Sequence, residues 1–413
     1  MALPNTQITL IGDSTIDNRI WIDGFIKNLI YTKLGIGHTT PEQRINRYQH
    51  GLIKPELSVA ENLRVQLPNT INIVDATNDG FTSADILNGA FRDKVFGYGT
   101  FSMFPHKYLS PFINHKEDIK NSDCIILSVG GNDVREFLQT SRAISANTRE
   151  QYIKEQFPLV LERLRTNYLN IIDHIRSLNP NARIIIMTQY YPSAIQSNYK
   201  IYDFMKEVAK VVGINDAKPD PLSVIQHVVQ QTLGAILTSL KDDANLVVAD
   251  VTSSLNPLDK TNHTSQIEPS GKGGKKISQM LHHLISNDIQ KGGIYRFTPE
   301  FFDNPSEEKA VIRSDISEPW QPLHPNKINE AEIAYKAAHP VESNWFFALK
   351  VLGVVTAASA VLALAWFALP VIAAIFTTAV VGVALGITAY NFFKPDLKKP
   401  VIDIEEMAHA ALN

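Results

Sequence analysis

Three short blocks of this chain hold residue types suited to acyl chemistry. Gly12-Asp13-Ser14-Thr15 follows the apolar run Ile8–Ile11. A serine on a strand-to-helix turn exposes its Oγ at the edge of a sheet, where it can serve as a nucleophile. Asp and Ser are also ordinary helix caps, so this block alone has a structural explanation as well. The stretch Val74–Asp85 contains Gly80, and a glycine at a strand end lets a backbone N–H approach a substrate oxygen. An ordinary turn would explain it too. Leu127–Asp133 contains Gly130 and Gly131, which permit a tight bend, and then Asn132, whose amide is a second kind of oxyanion donor. Its plainer reading is an Asn-Asp helix cap. Together the blocks would give Ser14 as nucleophile and Gly80 and Asn132 as oxyanion donors, with Asp13, Gly130, Gly131 and Asp133 in support.

Blocks so far apart can meet only if the intervening elements gather strand ends along one edge. Ile8–Ile11, Ile71–Val74, Cys124–Val129, Arg183–Thr188 and Leu246–Val251 are short, β-branched runs bounded by polar or glycine-rich turns, and read as buried strands. Between them lie stretches of helical apolar spacing, such as Tyr152–Leu178. This alternation predicts a parallel sheet covered on both faces, with the active site at the C-terminal ends of its strands. The length of 413 residues allows a large core plus an appendage. A net charge of −3 gives no sign of a nucleic-acid partner. Cys124 is the one cysteine, which excludes a disulfide framework and a cysteine-based zinc site and suits a reducing compartment. His282 and His283 are neighbours on a helical segment and face different ways, so no metal site is expected there.

Taken in order, Gly12-Asp13-Ser14, Gly80 and Gly130-Gly131-Asn132-Asp133 resemble the SGNH (GDSL) hydrolase family over about residues 7–286. The wording Gly12–Asn18 is similar to a bacterial branch of that family. The resemblance implies a flavodoxin-like three-layer α/β/α fold with a central parallel sheet. It implies no cofactor or metal, and hydrolysis of esters of lipids, acylated sugars, thioesters or related compounds. It also implies Ser14 as nucleophile and as a backbone donor of the oxyanion hole, with Gly80 and Asn132 supplying the other two donors.

The family's last block, Asp-x-x-His-Pro with a later glycine and apolar residue, has two imperfect counterparts. In Ser265–Ile277 the frame fits, with Gly273 and Ile277 in register, yet Glu268 stands in place of the His and Ser265 in place of the Asp. The Ile-Glu-Pro-Ser wording is similar to that of the same bacterial branch. In Gln321–Ala334 the pair His324-Pro325 is present, but Asn329 replaces the glycine and Gln321 the Asp. A histidine titrates near about 6.5 and is a ready base, whereas a glutamate near about 4.3 needs burial to become one. His324 is the better chemistry and Glu268 the better register. His263 is a further candidate, Asp315 a possible orienter of His324, and Asp250 reads as structural.

Residues 1–290 therefore read as the hydrolase-like domain. Residues 291–343 are rich in Pro, acidic and aromatic residues and read as a mostly irregular extension, either a cap or a linker. From Val351 to Phe393 there is no charged residue. One helix of that length would be about 65 Å long, against a hydrocarbon core of ~30 Å, so Pro370 is expected to divide it into a transmembrane hairpin over 344–394. Aromatic residues at both ends and Lys350, Lys394, Lys398 and Lys399 then place both flanks, including the tail 395–413, on the cytosolic side. The N-terminus has no basic and apolar pattern of a Sec signal peptide. The resulting expectation is a membrane-tethered serine ester hydrolase acting on an acyl ester, with a lipid or lipid-like ester as the natural substrate. Its rivals are a catalytically impaired SGNH-fold binding protein on a membrane, and a bacterial effector secreted into a host cell.

Overall fold

The computed structural model describes residues 6–16, 56–78, 80–92, 106–193, 201–214, 221–240, 243–264, 268–286, 292–303 and 311–315, with a few isolated helical positions besides. The chain divides into two compact units, Met1–Tyr335 and Lys336–Asn413, and every element named below belongs to the first. In chain order these are β1 (Gln7–Gly12), α1 (Val59–Gln66), β2 (Asn72–Thr77), α2 (Ser83–Asn88), β3 (Ala90–Arg92) and β4 (His106–Tyr108). There follow α3 (Pro111–Asn114), α4 (Lys116–Lys120), β5 (Cys124–Ser128), α5 (Gly131–Ala143), α6 (Ala146–Leu178), β6 (Arg183–Met187), α7 (Ile201–Val211) and α8 (Pro221–Ser239). The last are β7 (Leu246–Asp250), α9 (Gly271–Ser286), β8 (Gly293–Phe297), α10 (Pro299–Asp303) and β9 (Val311–Ser314).

Seven strands form one sheet in the order β2-β1-β5-β6-β7-β8-β9, all parallel except β9, which runs antiparallel to β8. β3 and β4 pair separately as a short antiparallel ribbon. The expected central parallel sheet is present, with an antiparallel edge. The five predicted strands fall on β1, β2, β5, β6 and β7, displaced by a residue or more at their ends. Residues 291–343 depart from expectation, because β8 and β9 extend the sheet within a stretch read as mostly irregular. Gly293–Phe297 carries Ile294, Tyr295 and Phe297, all strand-favouring residues, but it is short and set in a Pro-rich and acidic stretch, and its pairing with β7 and β9 is what makes it a strand.

The strands are apolar at successive positions because both faces are covered. Ile11, Ile125, Leu127, Ile184, Ile186 and Val248 point into a core shared with α5, α6, α7 and α8. Ile8, Leu10, Ile126, Ile185, Met187 and Val247 point into a second core with α1 and α9. The two sets alternate along each strand, as the period of two requires. The long α6 presents Ile153, Phe157, Val160, Leu164, Tyr168, Ile171 and Ile175 as a buried stripe at intervals of three or four.

Leaving aside β3 and β4, the chain steps from β1 outward to β2, returns to β5 on the other side, and then proceeds outward to β8. The gap between β1 and β5 is where the direction of winding reverses. Above it the crossover connections diverge and leave a crevice at the C-terminal strand ends. Ser14 and Asn132 follow the two strands that flank that crevice.

Candidate active site

Local chemistry places each block before the blocks meet. Beyond β1, Asp13 accepts the Thr15 N–H through Oδ1 at 3.0 Å, which turns the backbone and sets Ser14 at the sheet edge. Beyond β5, Gly130 has φ 117, a conformation that side chains other than glycine avoid, and there the strand becomes α5. The Val129 carbonyl accepts both the Tyr168 hydroxyl at 2.7 Å and Gln189 Nε2 at 2.8 Å, fixing that turn from behind. Beyond β2, Gly80 has φ 78, and the helix that follows starts with a reciprocal cap between Thr82 and Asp85.

Three hydrogen bonds lock these turns together. The Asp13 N–H donates to the Ser128 carbonyl at 3.2 Å, joining the ends of β1 and β5. The Asn78 N–H donates to the Gly12 carbonyl at 3.0 Å, joining the ends of β2 and β1. Asn132 Nδ2 donates to the Phe81 carbonyl at 3.0 Å, joining α5 to the loop beyond β2. Asp133 adds a fourth tie, accepting the Ser83 N–H at 2.9 Å and the Ser83 hydroxyl at 2.6 Å. Burial raises the Asp133 carboxyl above its usual range, partly offset by those two bonds from Ser83. Asp133 therefore acts as a staple between loops.

Ser14 and Glu268 meet. The Ser14 hydroxyl donates to Glu268 Oε1 at 3.0 Å, across a sequence gap of 254 residues, and both side chains are buried. Glu268 sits on a tight loop before α9. The loop is closed by Thr264 N–H to the Glu268 carbonyl at 3.0 Å and Ser270 N–H to the Asn262 carbonyl at 2.9 Å. Gly273, in the first turn of α9, lies against the Asn262 carbonyl so closely that a Cβ would collide with it. His263 is part of this scaffold: its Nε2 lies 3.0 Å from the Tyr191 carbonyl. Burial pulls its imidazole down to about 4, opposed by the backbone carbonyls of Tyr191 and Asp259. Asp250 is fully buried and bonded to Arg296 at 2.8 Å. His324, Ser265 and the 345–393 segment lie outside the described residues.

Asp13, Ser14, Gly131, Asn132 and Glu268 line a cleft of about 80 Å³. Gly80 is not in its wall, though Phe81 beside it holds Asn132. Sequence reading missed the apolar wall and three of its polar residues, Arg135, Gln189 and Tyr190. Gln189 and Tyr190 follow β6 at the same sheet edge, and Arg135 lies one helical turn beyond Asn132, so strand-end position and helical spacing were the signals available. Burial, and after it the charges of Glu268 and Asp13, push the Tyr190 phenol well above its ordinary value, so it stays a neutral donor. Among the described residues no group of His, Cys, Asp and Glu could hold a metal ion.

A three-layer sheet with a serine on the turn after its first strand, facing a crevice at the winding reversal, defines an α/β hydrolase of the SGNH type. The chain belongs to the GDSL-like Lipase/Acylhydrolase family, whose model matches residues 8–334. It is thereby a hydrolase of the class that acts on ester bonds. Among solved structures it is similar to the extracellular lipase of Streptomyces rimosus, with 13% identity over 68% of this chain and 100% of that one and a TM-score of 0.38. It is similar to a GDSL-like lipase from Parabacteroides merdae, with 11% identity over 68% and 95% of the two chains and a TM-score of 0.39. It is also similar to phospholipase A1 of Streptomyces albidoflavus, with 13% identity over 68% and 99% and a TM-score of 0.34. No curated protein matches this chain.

Proposed function

We propose that this protein is a serine ester hydrolase in which Ser14 attacks the acyl carbonyl and Glu268 takes its proton. The observation that carries the reading is the buried hydrogen bond from Ser14 Oγ to Glu268 Oε1 at 3.0 Å. As the Ser14–carbonyl bond forms, the hydroxyl proton moves to Glu268. The Ser14 N–H group and the Asn132 amide donate to the oxyanion, and the Gly80 turn contributes through Phe81, whose carbonyl holds Asn132. Glu268 then returns the proton to the leaving alkoxide, and a water replaces the alcohol for deacylation with Glu268 again accepting. A carboxylate is a weaker base than imidazole in water, so the direct contact with the Ser14 hydroxyl is what makes Glu268 the acceptor.

We further place this chemistry at a membrane surface, on the cytosolic side, with a lipid or lipid-like acyl ester as substrate. The support is the charge-free run Val351–Phe393 in the sequence. Among the described residues no helix is long and apolar enough to cross a membrane. The test of function is hydrolysis of short and long p-nitrophenyl esters by the full chain and by Ser14→Ala, with fluorophosphonate labelling of both. Turnover and labelling are expected in the wild type and absent from the variant. Equal behaviour of the two proteins would remove the reading and leave a binding protein on the same fold.

A further inference from the structure

The wall of the cleft carries one charged group for which the mechanism has no use. Arg135 lies on α5 three residues after Asn132, and both line the cleft. At the helical rise this places it about 4.5 Å further from the oxyanion end. Beyond it the wall is apolar, formed by Leu138, Met205, Ile225 and Val228. Arg135 is the single cationic side chain among the described residues that line the cleft. Its Nε is buried and has no hydrogen-bond partner.

An unpartnered buried donor on a charged group is costly, and a ligand that supplies an acceptor recovers the loss. One structural explanation would be neutralisation of Asp13 or Glu268, the two carboxylates of the same cleft. That job would put the buried Nε to use against one of them, and Nε donates to neither. A guanidinium is planar and presents a fork of N–H donors that fits carboxylate and phosphate oxygens two at a time.

We propose that Arg135 is a specificity-determining residue that receives an anionic oxyacid group of the substrate, carboxylate or phosphate, about one helical turn from the scissile carbonyl. This rests on Ser14 being the nucleophile. The full chain is assayed by butyrate release from three esters sharing one acyl group: monobutyrylglycerol, butyrylglycerol 3-phosphate and O-butyrylglycerate. The wild type is expected to prefer one anionic ester over the neutral one by about tenfold or more in kcat/KM, and Arg135→Gln to lose that preference. Arg135→Lys, which keeps the charge without the fork, should recover part of it. The better anionic ester tells phosphate from carboxylate. A wild-type ratio near one, or a ratio unchanged in Arg135→Gln, overturns the proposal. If no ester is hydrolysed in a Ser14-dependent manner, the nucleophile reading fails by itself. The subsite is then read from calorimetric binding of butyrylglycerol 3-phosphate to Ser14→Ala and to Ser14→Ala/Arg135→Gln. Weaker binding to the second supports the subsite, and equal binding overturns it.

Discussion

At the scale of single residues, the choice of base turns on where a proton can go. Ser14 Oγ has Glu268 within hydrogen-bonding distance, in a cleft whose other acid, Asp13, is engaged by the Thr15 N–H. Glu268→Gln keeps the shape and an acceptor oxygen but cannot take up a proton. It should lower kcat on p-nitrophenyl butyrate by about a hundredfold or more with a smaller change in KM. His324→Gln should cost less. The reverse order of losses would move the base to His324. Glu268 was legible in the sequence from its register with Gly273 and Ile277. Its contact with Ser14 was not, because nothing in the sequence measures the distance between two positions 254 residues apart.

At the scale of elements, the loop between β7 and α9 decides whether Glu268 is held. His263 is buried within it against the Tyr191 carbonyl. Its folded pKa of about 4 lies below the ordinary 6.5, so the unfolded chain binds the extra proton. Its contribution is therefore full above pH 6.5 and is lost as pH falls towards 4. The loss should reach about 3 kcal/mol. Urea unfolding midpoints of the wild type and His263→Gln should accordingly differ at pH 7 and converge as pH approaches 4; parallel curves would show that His263 does not titrate in this way. Sequence alone offered His263 as a further candidate base after His324 and Glu268. Packing made it a buried prop, because its ring is covered by Tyr190 and its Nε2 is committed to a backbone carbonyl.

At the scale of the molecule, the seven-stranded sheet, both its cores and the Ser14–Glu268 pair belong to the unit Met1–Tyr335. The family match ends at residue 334. A chain ending at Tyr335 should therefore fold and hydrolyse p-nitrophenyl butyrate, while losing whatever membrane association the full chain has. Far-UV circular dichroism, ester turnover and flotation with liposomes would test this. Failure of the shortened chain to fold would mean that the core depends on residues beyond it.

The sequence by itself determined the alternation of β-branched runs and helical stretches, and with it a sheet covered on both faces. It also determined the three blocks at the strand ends, because a strand that ends in glycine and then a polar turn announces itself locally. The order of strands, the crevice between β1 and β5 and the ties among Gly12, Asn78, Phe81 and Asn132 were decided only by tertiary structure. So was the membership of β8 and β9 in the sheet. Strand pairing satisfies backbone groups whose partners are remote in the chain, and such pairing leaves no mark on the local pattern of side chains. Arg135 and Tyr190 became parts of a cleft for the same reason: a wall exists only once elements from different parts of the chain stand opposite one another.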